Sequence, residues 1–114
     1  MTECIFCDIV SDKNKATIVF EDDKAIAFKD LNPQAPYHIL IIPRKHIATL
    51  NDITPSDEPL IGHLFSIART LAAKEGFDAS GYRTVFNCNK NAGQVVFHLH
   101  LHLLGGRLFH WPPG

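Results

Sequence analysis

The strongest pattern in the chain runs from Phe97 to Gly106, "FHLHLHLLGG", where polar and apolar residues alternate. In an extended strand successive side chains point to opposite faces, so residues two apart share one side. The pattern predicts a strand over 95–106 with His98, His100 and His102 in a row on one face. Phe97, Leu99, Leu101 and Leu103 fill the other face, against a core. A helix would scatter the three imidazoles around its circumference.

Weaker alternation in "ATIVFEDD" (16–23) and "KAIAFKD" (24–30) predicts two strands joined by a turn at Asp22–Asp23. "YHILIIP" (37–43) reads as a buried strand stopped by Pro43, with Pro33 and Pro36 punctuating the loop before it. The segment 54–76 changes period: Leu60, Leu64, Ile67 and Leu71 form a helical stripe. Ser56 is placed to cap that helix, Asp57, Glu58 and Pro59 suit its first turn, and Gly76 ends it. "CIFCDIV" (4–10) predicts a short N-terminal helix, "YRTVFN" (82–87) a strand and "CNKNAGQ" (88–94) a tight loop. The expected architecture is an α+β fold, an antiparallel sheet of about five strands with one long and one short helix, in a single domain over 1–114.

Composition narrows the function classes. The chain has 114 residues, 46% hydrophobic and 20% charged, enough to bury a core. A net charge of −1 argues against nucleic-acid or anionic-membrane partners. The longest aliphatic run, Ile39–Ile42, is far short of the ~20 residues a bilayer span needs. Cys4, Cys7 and Cys88 are an odd set, which favours a reducing compartment, and "MTECIFCDIV" lacks the features of a secretory signal. The expected location is cytoplasmic.

Three imidazoles spaced ~6.6–6.8 Å along a straight strand cannot all reach the ~2 Å that a single zinc demands. Histidine is also the side chain best matched to neutral-pH nucleophilic and acid–base work. A metal site would need a carboxylate or cysteine from elsewhere to complete it; in the alternative reading His100 is a nucleophile held by a hydrogen bond to its other ring nitrogen, with His98 and His102 flanking it. The Asn- and Gly-rich loop before it tolerates left-handed backbone and suits an anion-binding nest, although an ordinary hairpin loop uses the same letters.

"HLHLHLL" (98–104), "YHILIIPRKH" (37–46), "FKDLNPQAP" (28–36) and the ending "GGRLFHWPPG" (105–114) closely resemble the histidine-triad proteins, specifically the Hint branch of purine nucleoside phosphoramidases. The likeness covers residues 4–114. It implies a homodimer whose sheet continues across both copies. It also implies hydrolysis of P–N bonds in adenosine or guanosine 5′-phosphoramidates, including aminoacyl adenylates, through a nucleotidyl-histidine intermediate.

The resemblance implies His100 as nucleophile, His98 and His102 as companions and His38 as a supporting histidine; His38 would equally pass as a satisfied core residue. Asp30 matches a ribose-gripping carboxylate, and Leu31, Phe6, Ile9 and Phe28 fall where relatives line the base pocket. Asn87, Gly93 and the backbone at Gln94–Val95 fall on the phosphate loop, and Trp111 on a tail that lies near the partner's site. No metal is required for that chemistry. Some bacterial relatives bind structural zinc through a Cys-x-x-Cys pair and two histidines, which here are Cys4, Cys7, His46 and His98; two small buried thiols are the plain alternative. Relatives commonly carry serine where this chain has Val95, which leads us to expect slower turnover or narrower leaving-group tolerance. A dinucleoside polyphosphate hydrolase and a nucleotide-binding module with weakened catalysis are the alternatives.

Overall fold

The computed structural model describes residues 4–114; residues 1–3 of the domain expected over 1–114 lie outside the described residues. In chain order the elements are α1 (Ile5–Ser11), β1 (Ile18–Glu21), β2 (Ala25–Lys29), β3 (Tyr37–Pro43), α2 (Glu58–Glu75), β4 (Tyr82–Val85) and β5 (Leu101–Gly105). The strands form one sheet in the order β1-β2-β3-β5-β4, every neighbouring pair antiparallel. This is the α+β arrangement the pattern predicts. Among the described residues no helix is long and apolar enough to cross a membrane.

Parity along the strands decides the two faces. Ala25, Ala27, Ile39, Ile41, Leu101 and Leu103 pack against Leu64, Ile67, Ala68 and Leu71 of α2. The intervening residues Ile26, Phe28, Leu40 and Ile42 pack on the other face against Cys4, Phe6 and Ile9 from the α1 end. The central strands β2 and β3 are thus buried on both sides, which explains their nearly continuous apolar sequence. His38 and His102 take the parity that faces α1, and so does Leu40, the direct partner of His102 across the ladder.

Local chemistry shapes the ends. Asp22 Oδ1 accepts the N–H groups of Lys24 and Ala25 at 2.8 Å each and forms the expected turn. Ser56 does not cap the long helix. A 3₁₀ turn at Pro55–Asp57 precedes it, closed by the Asp57 carboxylate accepting the Thr54 N–H at 2.9 Å, while Ser56 turns its hydroxyl to Thr54 Oγ1. Gly76 ends α2 at φ 85°, as a left-handed cap.

The histidine strand is shorter than the expected 95–106. The regular ladder runs only from Leu101 to Gly105. Its next partner along β3 after Ile41 and Ile42 is Pro43, which has no N–H to offer. Leu99 instead gives its N–H to the Ile47 carbonyl at 2.6 Å, and the chain bends through Val96–His98. Leu99 remains buried as predicted, but Phe97 is turned out to solvent at 47% exposure, contrary to the expected core position.

Gly105 is required by packing. A Cβ there would run into the Phe77 ring, which also stacks on Tyr37 at 4.8 Å. Gly105→Ala should cost about 1–3 kcal/mol, the usual penalty for overpacking, and lower the urea midpoint accordingly. A midpoint equal to wild type would show that the Phe77 ring moves aside freely.

Candidate active site

A cavity of about 510 Å³ opens on the α1 face of the sheet. Phe6, Ile9, Phe28 and Leu40 supply its apolar lining, and Asp30, His100 and His102 its polar end. Leu31 and Val95 form exposed parts of the rim, at 95% and 85% exposure. Phe6 stands edge-on to Phe28 at 5.3 Å and to His100 at 5.1 Å, so the same ring joins the apolar and imidazole parts of the wall.

The backbone assigns the ring protons, because a neutral imidazole has one N–H and one lone pair. His100 Nδ1 lies 2.7 Å from the His98 carbonyl, an acceptor only. Its proton is therefore on Nδ1 and its lone pair on Nε2. Gln34 N–H donates to His38 Nδ1 at 3.0 Å, which puts the His38 proton on Nε2. That N–H donates to His102 Nδ1 at 2.9 Å, with Asp30 Oδ2 3.4 Å behind it. His102 then keeps its proton on Nε2.

Electrostatics hold the row neutral. Burial pushes His102 down to about 4, helped by the neighbouring His100 and His38. Protonating it would also displace the His38 N–H from its only free lone pair. Burial likewise lowers His100 and His38, with Asp30 opposing in both, and the His98 carbonyl opposing more strongly than Asp30 at His100.

His98 leaves the row. It is fully buried, donates Nε2–H to the Pro43 carbonyl at 2.8 Å and turns Nδ1 toward two cysteines and another histidine. Nδ1 of His98 lies 3.4 Å from Cys4 Sγ, 3.5 Å from Cys7 Sγ and 3.2 Å from His46 Nδ1, and Cys7 Sγ is 3.3 Å from His46 Nδ1. A tetrahedral ion with bonds of ~2.3 Å to sulfur and ~2.0–2.1 Å to nitrogen has S···N edges of about 3.5 Å and N···N edges of about 3.4 Å. These four separations match such edges, all four ligand atoms lie within 4.8 Å of one another, and the Pro43 carbonyl supplies the outer hydrogen bond that ligating histidines usually have. Asp30, His38 and His102 also lie close enough to share an ion. The tautomer argues against it: Gln34 N–H bars the His38 proton from Nδ1, so Nε2 keeps it and has no lone pair to give.

The expected Phe6, Ile9, Phe28, Asp30, Leu31, Val95, His100 and His102 all line the one cavity. His38 sits behind it, against His102. Asn87, Gly93, Gln94 and Trp111 are not among its lining residues. The Gln94 side chain is a brace: Nε2 donates to the Ala48 and Val96 carbonyls, and Oε1 accepts the Asn89 N–H. Trp111 is 82% exposed on its own chain. Sequence reasoning missed Leu40, which parity with His38 on a buried strand could have found. It also missed Asp8 and Lys15 at the cavity's edge, which look like any surface charge.

Comparison with known proteins bears on this arrangement. The family profile described as "Scavenger mRNA decapping enzyme C-term binding" matches residues 3–108. An uncharacterized HIT-like protein of Synechocystis is 50% identical over 112 residues, 98% of this chain and 97% of its own. A purine nucleoside phosphoramidase of Escherichia coli K12 is 45% identical over 105 residues, 92% of this chain and 88% of its own. A HIT family hydrolase from Legionella pneumophila superposes with a TM-score of 0.95 at 53% identity, covering 98% of this chain and all of that one. A zinc-bound histidine triad family protein from Mycobacterium smegmatis superposes with a TM-score of 0.79 at 32% identity, covering 92% and 76%.

The His102 shift has a sign that stability can report. Above about pH 6.5 the residue is neutral both folded and unfolded. Between 6.5 and about 4 only the unfolded chain takes up the proton, so the folded state loses stability as pH falls through that window. Denaturant titrations from pH 7 to 4 on wild type and His102→Gln should show this loss as the difference between the two. Parallel pH curves would mean that His102 titrates normally.

Proposed function

The chain belongs to the histidine-triad (HIT) family of hydrolases, and we propose that it is a nucleoside phosphoramidase acting on purine nucleoside 5′-phosphoramidates. The observation that carries this reading is the His100 tautomer: its Nδ1–H is bound to the His98 carbonyl at 2.7 Å, which leaves Nε2 as an unprotonated nucleophile at the polar end of an apolar cavity. Phe6, Ile9 and Phe28 suit the faces of a purine, and Asp30 offers a carboxylate to ribose hydroxyls. The similarity to the E. coli phosphoramidase supports the same substrate class.

In this mechanism His100 Nε2 attacks the α-phosphorus, forming a P–N bond to the enzyme as the substrate's P–N bond breaks. His102 directs its Nε2–H toward the charge developing on the phosphoryl oxygens and keeps that proton, while the departing amine takes its proton from water at the open rim of the cavity. Water then attacks the nucleotidyl-histidine and releases the monophosphate. His98, committed to the cysteine cluster, is a support and not an acid. Val95 brings no hydroxyl to the rim, so the backbone N–H groups and the imidazoles supply the donors for the phosphate. Pairing of two copies through the sheet has an available edge in β4, which is the last strand in the order.

We also assign Cys4, Cys7, His46 and His98 as ligands of a structural zinc ion. With Cys4, Cys7, His46 and His98 as its ligands, such an ion would cross-link α1, the segment after β3 and the approach to β5, and would supply no Lewis acidity. Protein purified without added metal should contain one zinc per chain, and Cys7→Ser should lose it together with several degrees of Tm; absence of stoichiometric zinc from the wild type ends the assignment.

AMP release from adenosine 5′-phosphoramidate tests the activity. Wild type should turn over, His100→Ala should be slower by at least about 10³-fold while still binding AMP, and Val95→Ser should be faster by roughly two- to tenfold. A wild type that binds AMP without releasing it would overturn the enzymatic reading, and diadenosine polyphosphate turnover without phosphoramidase activity would move it to the hydrolase of that substrate.

A further inference from the structure

We propose that Arg107, on the tail that follows β5, is a positioning residue for the His38–His102 pair. The proposal rests on the phosphoramidase reading only for its effect on rate. The Arg107 Nε–H donates to the Gln34 carbonyl at 3.0 Å. On the same residue, the Gln34 N–H donates to His38 Nδ1 and sets the tautomer that reaches His102. Arg107 therefore grips one end of Gln34 while His38 depends on the other.

The guanidinium is itself held. Nη1 donates to the Leu108 carbonyl at 3.0 Å, and its plane lies over the Phe109 ring at 4.2 Å. The tail also presses on the same loop one residue earlier. Gly106 sits at φ 92°, where a Cβ would approach the Pro36 side chain at 2.9 Å. The loop has few other restraints on Gln34: its Nε2 returns to the Asn32 carbonyl, and Asn32 N–H is taken by Asp30 Oδ1. Without Arg107, the Gln34 carbonyl turns to water and its N–H no longer stays aimed at His38. The proton on His38 is then free to occupy either nitrogen. In the molecules where it moves to Nδ1, His102 loses its donor and its own tautomer is no longer defined.

The test compares wild type, Arg107→Met, which keeps the stem and removes the donors, and Arg107→Lys, which keeps a cationic donor. Histidine ¹⁵N shifts of the full-length protein report the tautomer with no substrate present. His38 should be a single Nε2–H form in wild type, a mixture in Arg107→Met and largely restored in Arg107→Lys. The Gln34 amide should exchange faster in the Met variant alone. With adenosine 5′-phosphoramidate, kcat should fall roughly tenfold in Arg107→Met with KM within about twofold. A folded Arg107→Met protein in which His38 keeps one Nε2–H tautomer and Gln34 exchange is unchanged overturns the proposal. Because the ¹⁵N readout needs no turnover, failure of the phosphoramidase reading would show separately, as inactivity of the wild type.

Discussion

A neutral imidazole has one proton for two nitrogens, and main-chain groups decide where that proton sits on three of the histidines in this site. The His98 carbonyl holds it on Nδ1 of His100, the Pro43 carbonyl holds it on Nε2 of His98, and the Gln34 N–H excludes it from Nδ1 of His38. Each choice has a chemical consequence. His100 has a free lone pair at Nε2, His98 has one facing Cys4, Cys7 and His46, and His38 has none to spare beyond the one Gln34 already occupies. Burial lowers the proton affinity of the group and keeps these assignments sharp, since an imidazolium would need donors satisfied at both nitrogens.

The rest of the fold serves that arrangement. The sheet places His38 and His102 on adjacent strands with the same parity, so their rings meet across the ladder. Helix α1 closes the opposite side: Phe6 and Ile9 line the cavity, while Cys4 and Cys7 flank Phe6 and turn to His98. The cysteine–histidine cluster and the cavity therefore share one short helix. They also share one residue, because the backbone carbonyl of His98 orients His100 while its side chain joins the cysteines.

Much of this was legible along the chain. Alternation placed His100 and His102 opposite Leu101 and Leu103, though His98 leaves the row where the chain bends, and the 3.6 period of Leu60, Leu64, Ile67 and Leu71 placed the long helix. The family likeness brought Asp30, Phe6, Ile9 and Phe28 to one pocket, and the structure puts them there. Less legible were the strand's true start and the fate of Phe97. Both follow from Pro43, whose missing N–H ends the ladder from the neighbouring strand, a constraint that is visible only once the register is known. Ser56 was misplaced as a cap because Thr54 and Asp57 close an earlier turn, and three candidate residues look equivalent until a carboxylate chooses among backbone donors.

The order of side chains by itself determined which residues could share a face, since strand and helix periods depend only on backbone geometry. It also determined which histidines and thiols were available to be brought together. Only the tertiary structure decided what each histidine does. That depends on partners distant in sequence, Gln34 for His38, Pro43 and Cys4 for His98, and on burial that no local window contains. Identical side chains acquired different roles because a proton's position is set by whatever acceptor or donor the fold brings within about 3 Å.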